Sequence, residues 1–324
     1  LIKIGISDII TLRSKKGHYK KLPKDLQVIE VDNWHDAIRK KPDIAVISNP
    51  TSLHLEAASK ISKHVKGVFI EKPLSHTLDG CQELIKQLQS DTVVSFVGFN
   101  MMFHPIVKNI IKFSNENSLG NIVNIQCQVG QWLPDWHPYE NFMDLYACRK
   151  DLGGGVLRTE IHEIDFLTWV YGSPNLLKAT GGCLGPYSLD VEDTVEIFMD
   201  YGDFVAQVDL CFMQKIQERR ISVYAEDGWL DLDILRNTLT VKDNSSTEHR
   251  EYKESIGNED MFRKQAQRFG AETFNLHVDR VDLDAKPFKV YCGDKEYLSK
   301  TIIISTGASA KLLGLESESK LMGY

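Results

Sequence analysis

Apolar positions along this chain recur with two different periods, and the change of period divides it. Residues 43–48, 68–70 and 92–97 read as short strands, each an apolar run rich in β-branched and aromatic side chains. Between them Leu53, Ala57, Ile61 and Val65 recur at helical spacing, and a second helix places Leu78, Cys81, Ile85 and Leu88 on one face. Upstream, residues 2–6 read as the end of a helix and 8–12 as a further strand. Strands alternating with helices of this length predict a parallel, doubly wound sheet.

Beyond Asn100 the period changes. A helix over 104–113 leads to a strand-like run over 121–129 and an aromatic loop containing Trp132, Trp136 and His137. Gly153, Gly154 and Gly155 then open a predicted helix carrying Arg158, His162, Asp165 and Trp169 on one face. A stripe with arginine, histidine and aspartate is expected to line a cavity, although a structural histidine with satisfied hydrogen bonds would look the same. From 176 to 243 the chain alternates with period two. Val195, Ile197 and Met199 oppose Thr194, Glu196 and Phe198, a turn follows at 200–203, and Phe204, Ala206, Val208, Leu210 and Phe212 alternate on the return. Residues 221–225 and 229–232 form another hairpin. The expectation is an α/β protein: a Rossmann-type parallel sheet, truncated at its start, followed by an α+β domain with an open, mainly antiparallel sheet and a cleft between the two.

Composition narrows the class. The 324 residues are 42% hydrophobic and 26% charged, with mean hydropathy −0.25, enough apolar material for a sizeable core. A net charge of −7 gives no general footprint for nucleic acid or an anionic membrane, and no stretch has the length and hydropathy of a membrane span. Six cysteines are scattered without a C-x-x-C pair, which speaks against a zinc ribbon or an internal dithiol centre; no metal site is expected. We expect a cytoplasmic protein. The first residue is Leu1, and further sequence upstream is expected.

The candidate chemistry lies at strand ends. Val68, Phe69 and Ile70 stop on Glu71, Lys72 and Pro73. In open α/β sheets ligands bind outside the carboxyl ends of the strands, and a lysine partly desolvated there can serve as a proton donor. A solvated lysine before a turn is the plainer alternative. Asn49, Pro50 and His54 belong to a turn at another strand end, where a helix N-terminus could receive a phosphate. After the strand at 8–12, Arg13, Ser14, Lys15 and Lys16 are placed to meet an adenosine ribose, and cations there favour NADP over NAD; a solvated charge run is the alternative. No G-x-G-x-x-G loop occurs anywhere in the sequence.

Four motifs in order carry a resemblance: Asn49-Pro50-Thr51-Ser52-Leu53-His54, Glu71-Lys72-Pro73, Gly98-Phe99-Asn100, and Gly153-Gly154-Gly155 followed by His162-Glu163-Ile164-Asp165. Over residues 1–262 the chain resembles the Gfo/Idh/MocA family of nicotinamide-dependent sugar and cyclitol dehydrogenases. The resemblance implies a partial Rossmann domain over 1–102 and a substrate and oligomerisation domain over 103–262, with homo-oligomers formed through the antiparallel sheet. It also implies a small sugar-type substrate, NAD or NADP as cofactor, Lys72 as proton relay, His162 as acid/base partner and Asp165 as a supporting contact. Asn100, Trp136, His137, Arg149 and Arg158 would contact substrate, and the Lys72–Pro73 peptide would be cis. Two positions depart from the family pattern: Arg158 stands where many members have aspartate, which favours an anionic sugar substrate, and Met102 where arginine is frequent.

Residues 263–324 are similar to a different family, the flavin domain of thioredoxin reductases. Phe262-Arg263-Lys264-Gln265-Ala266 and Thr301-Ile302-Ile303-Ile304-Ser305-Thr306-Gly307 carry the likeness, which implies that Thr306 and Gly307 would approach FAD. The remaining flavin and dithiol motifs of that family are absent from the sequence, so a passive appendage is the favoured expectation. The whole is read as a chimeric or misassembled coding sequence whose larger part folds as the sugar dehydrogenase, inactive if the missing glycine loop leaves the nucleotide without a seat; a flavin-linked disulfide reductase, resting on the tail alone, and a non-catalytic oligomeric module are the alternatives.

Overall fold

The computed structural model describes residues 9–13, 28–116, 118–137, 140–243, 250–253, 280–282 and 288–299. The segment 2–6, Ser14, Lys15, Lys16, the run 262–266, Thr306 and Gly307 lie outside them. The described residues pack as two units, those up to 33 with those from 280 onward, and those between 34 and 253.

In the first unit, β1 (Ile9–Leu12) pairs in parallel with β2 (Val28–Val31), Ile9 opposite Val28. The second unit begins with α1 (Trp34–Arg39) and continues through β3 (Ile44–Ile47), α2 (His54–Ile61), β4 (Gly67–Ile70), α3 (Cys81–Ser90) and β5 (Val94–Val97). The three strands form one parallel sheet in the order β3-β4-β5. Ile47, Val68 and Ile70 project from one face and are buried with Ala57, Ala58 and Ile61 of α2 and Leu84 and Leu88 of α3. Each such Ile, Val or Leu side chain contributes about 1.5–3 kcal/mol by leaving water. The stripe of α3 differs from the expected one. The helix starts only at Cys81, after Gly80 at φ 83°, so Leu78 precedes it and is 89% exposed, and Ile85 points outward beside the buried Leu84. The opposite face of the sheet is also more open than a parallel sheet usually allows: Ile44 and Val94 are 50% and 61% exposed.

α4 (Pro105–Glu116), β6 (Ile122–Trp132), α5 (Val156–Thr159), α6 (His162–Tyr171), β7 (Leu176–Gly182), β8 (Thr194–Asp200), β9 (Val205–Cys211), β10 (Met213–Ala225), β11 (Gly228–Asp233), β12 (Thr238–Asp243) and β13 (Arg250–Lys253) build the rest of this unit. Their eight strands form a single sheet ordered β13-β12-β11-β10-β6-β9-β8-β7. Only β6 and β9 run parallel; every other neighbouring pair is antiparallel. Ile106, Val107 and Ile110 of α4 and Phe166 and Leu167 of α6 share one core with Ile125, Val208, Leu210, Ile221 and Val223 from one face of the sheet. The single helix expected to carry Arg158 and His162 together is broken. α5 ends after Thr159, where Glu160 leaves helical geometry at φ −102°, ψ 37°, and α6 starts afresh at His162. Arg158 therefore does not share a helical face with His162.

Back in the first unit, β14 (Arg280–Asp282), β15 (Phe288–Cys292) and β16 (Lys295–Ser299) form a three-stranded antiparallel sheet, with β15 and β16 joined through Gly293 at φ 58°. No helix of the described residues is long and apolar enough to cross a membrane. All six cysteines are free.

Candidate active site

β4 ends at Ile70, and the chain turns away through Glu71, Lys72 and Pro73, with a cis peptide between the last two. Glu71 N–H still donates to Ile47 O at 2.8 Å, so the turn remains stitched to the sheet. The Lys72 side chain then leaves the sheet and its Nζ donates to Thr159 O at the end of α5. This contact brings the strand end against the loop that Gly153 to Gly155 open. Glycine is required at Gly153, which has φ 80° and where a Cβ would lie 3.0 Å from Thr51 Cβ and 3.1 Å from Ser52 N.

A cavity of about 550 Å³ opens beside Lys72, lined by Gln131, Trp136, His137, Tyr146, Glu160, His162 and Arg219 among others. Trp136 stands edge-on to Phe212 at 5.3 Å, and His162 edge-on to Phe99 at 6.1 Å. Two polar atoms in this wall, His162 Nδ1 and Trp136 Nε1, are buried without a hydrogen-bond partner. Such groups are costly to leave unpaired. His137 Nδ1 lies 2.5 Å from Glu140 Oε1.

A charged network runs through the wall of the cavity. Arg219 Nε and a terminal nitrogen donate to the two oxygens of Glu163 at 2.8 and 2.9 Å, and its other terminal nitrogen is 3.6 Å from Glu160. Gln131 Nε2 donates to Glu160 Oε1 at 2.9 Å. Burial lowers the pKa of Lys72; Arg219 lowers it further, while Glu160, Glu71 and Glu163 oppose the change. Burial first, and then the charges of Lys72 and Arg219, hold His162 well below its ordinary value, so its ring is neutral at neutral pH. Burial raises the Glu163 pKa, and the charge and hydrogen bonds of Arg219 counter it.

The structure thus brings Lys72, Trp136, His137 and His162 to one cavity and disperses the other candidates. His54 does not face an open site: it is 1% exposed, with Nε2 2.8 Å from Asn49 O and Nδ1 2.8 Å from Pro73 O, so it ties the Asn49-Pro50 turn to the Lys72 turn. Arg149 pairs with Asp151 at 2.6 Å on the surface, outside the cavity, because its carboxylate partner is two residues away. Arg158 donates to Gly154 O at 2.8 Å and lines a separate cavity of about 610 Å³ with His76, Lys150 and Glu192, a consequence of the break between α5 and α6. Asp165 sits in the first turn of α6, its carboxyl raised to about 6 by burial, and is not among the residues lining the Lys72 cavity. Asn100 is likewise not among them; its carbonyl accepts from Phe103 N–H at 3.0 Å. Arg13, in the other unit, is 3.9 Å from Glu30. Among the described residues no group of three or more His, Cys, Asp or Glu is arranged to hold a metal ion.

Gln131, Tyr146, Glu160 and Arg219 also line the cavity and are not among the residues the sequence singles out. Glu160 could have been found as an acid two residues before His162. Arg219 carries no local signal, since β10 brings it to Glu163 from 56 residues away.

Residues 6–99 match the oxidoreductase family with an NAD-binding Rossmann fold, and residues 107–231 match the GFO/IDH/MocA C-terminal domain. Over 167 residues the chain is 26% identical to 2,7-anhydro-N-acetylneuraminate hydratase of Escherichia coli (strain K12), covering 50% of this chain and 43% of that protein. A shorter match, 42% identity over 66 residues, relates 20% of the chain to 21% of the thioredoxin reductase of Rickettsia bellii (strain RML369-C). Among solved structures, levoglucosan dehydrogenase in complex with NADH and levoglucosan shares the fold, with a TM-score of 0.67 at 19% identity over 76% of this chain and 74% of that one. The chain spans about half the length of the curated oxidoreductase and hydratase relatives it matches, between 43% and 54%. With both matches in family order and Lys72 and His162 on one cavity, this chain carries the Rossmann and C-terminal domains of the Gfo/Idh/MocA oxidoreductase family.

Proposed function

We propose that the chain is an NAD(P)-dependent dehydrogenase that moves a hydride between a nicotinamide and a carbinol of a sugar or sugar derivative. The observation that carries this reading is the meeting of Lys72 and His162 on one cavity whose wall leaves His162 Nδ1 and Trp136 Nε1 without partners. The residues fit the reactive end of a nicotinamide cofactor: the cavity lies beside the carboxyl end of a parallel strand and is lined by Lys72, Trp136 and His162. When bound, the nicotinamide supplies the hydride donor or acceptor at its C4. Lys72 Nζ passes the carbinol proton, its release eased by burial and by Arg219. His162, neutral, hydrogen-bonds a substrate hydroxyl and assists that transfer, and Asp165 acts on it indirectly through α6. Trp136 and His137 provide the apolar and polar walls on which a sugar ring would rest.

The printed names of the relatives support a carbohydrate substrate: 2,7-anhydro-N-acetylneuraminate for one, levoglucosan for another. The cations Arg13, Lys15 and Lys16 favour NADP. The outer face of the eight-stranded sheet would join copies of the chain, and the free cysteines suit a reducing, cytoplasmic compartment. Fluorescence titration with NADPH and NADH tests the reading. Saturable binding, tighter for NADPH, is expected; no saturation at millimolar nucleotide would remove it.

A second reading is favoured by the 42% identity to thioredoxin reductase over 66 residues. In it the tail derives from a flavin domain, with Thr306 and Gly307 toward FAD, and the chain joins two coding sequences. A yellow preparation with a flavin spectrum supports flavin binding, and a colourless one removes it. Long reads across the codons for residues 255–270 decide the joining: one continuous, expressed gene would refute a misassembly.

A further inference from the structure

We propose that Glu160 is a positioning residue for the proton on Lys72: clamped by Gln131 and Arg219 beside the carbonyl that Lys72 reaches, its carboxylate keeps the ammonium form of Lys72 seated at the cavity wall. The role of that proton in turnover rests on the dehydrogenase reading above; the seating of the ammonium does not.

Three observations converge. Lys72 Nζ donates to Thr159 O, the carbonyl immediately before Glu160 in the chain. Glu160 is 5% exposed and lines the same cavity as Lys72. Its neighbours only partly neutralise it: Gln131 gives one hydrogen bond at 2.9 Å, and Arg219, 3.6 Å away, is turned to Glu163 by two bonds at 2.8 and 2.9 Å. A carboxylate this dry, with one neutral donor and a shared cation, gains most from a second positive neighbour. Lys72 lines the same cavity and bonds the carbonyl next to Glu160 in the chain, and the carboxylate acts on it through space rather than by a direct ion pair. The titratable and charged groups around Lys72 are Glu71 on its own segment, Glu160, His162 and Glu163 from the α5–α6 region, Arg219 from β10, and Asp135, His137 and Tyr146, which line the same cavity. Of the charges acting on Lys72, Glu160 favours the protonated form most, whereas Arg219 opposes it.

This opposition gives a test that needs no turnover. Acetic anhydride labelling of the whole chain across a pH series, with the Lys72 peptide quantified by mass spectrometry, reports the titration of the Lys72 amine. Glu160→Gln is expected to move its midpoint to lower pH by about one pH unit, and Glu160→Asp to restore it. Arg219→Gln is expected to move it upward. An unchanged midpoint in Glu160→Gln overturns the proposal, as does a shift in the same direction in Glu160→Gln and Arg219→Gln. If circular dichroism finds Arg219→Gln unfolded, the Glu160→Gln and Glu160→Asp pair decides alone. Failure of the dehydrogenase reading appears separately, as absent nucleotide binding with the labelling shifts intact.

Discussion

Lys72 and His162 reach the same cavity by different routes, one from a strand end and the other from a helix start, and burial alters both. Replacing Lys72 with alanine removes the proposed proton carrier while leaving the strand ends in place. Turnover is expected to fall by roughly 10²- to 10⁴-fold with nucleotide affinity little changed, measured by steady-state kinetics beside fluorescence titration. A near-normal rate would refute the assignment. The acids and bases here also make stability depend on pH. His162 has a folded-state pKa below its usual 6.5, so the unfolded chain binds the proton more readily, and stability is lost as pH falls through about 6.5. Asp165 acts in the opposite sense. Its folded value of about 6 exceeds 3.8, so its contribution is fully present below about 3.8 and is lost as pH rises through about 6. Asp165→Asn is therefore expected to gain in melting temperature relative to the wild type as pH rises from 4 to 7; thermal melts across that range check it, and a constant difference would contradict the sign. Lys72 was legible in the sequence because an apolar run stopped on it. Glu160 carries no such mark, because on a continuous helix it would face away from His162, and only the break between α5 and α6 brings it to the cavity.

At the level of elements, the tie between α6 and β10 concentrates the electrostatics. Glu163 is fully buried and its two oxygens are both held by Arg219, so removing the arginine leaves a charge without compensation. Arg219→Ala is expected to cost about 3–5 kcal/mol in urea unfolding, and replacing both partners by apolar residues of similar volume to recover most of it. Equal losses in the single and double variants would show that the pair is not the cause. The β8–β9 hairpin was readable because Val195, Ile197 and Met199 and then Ala206, Val208 and Leu210 alternate cleanly into the core. β10 was only half readable: its register with β6 shifts between Met213 and Glu218, which interrupts the alternation just before Arg219. The parallel pairing of β6 with β9 joins strands far apart in sequence, and no local pattern encodes it.

On the scale of the whole molecule, the change from period 3.6 with short strands to period two announced two kinds of sheet, and both are present in the second unit. The sequence pattern did not say which sheet faces would be covered. The eight-stranded sheet packs helices on one face and presents Gln126, Gln207 and Tyr224 from the other. If copies of the chain join there, light scattering is expected to give a multiple of 36.8 kDa, and the single change Gln126→Arg to return the monomer by leaving an unpaired charge buried between the copies. A wild-type mass of 36.8 kDa would overturn that arrangement. The smaller parallel sheet has the reverse character. Ile44, Val46 and Val94 stand in water on a face that sheets of this kind normally keep dry. Such a face is expected to bind hydrophobic dyes and to lower solubility as sulfate is added, which dye fluorescence and salting-out curves check.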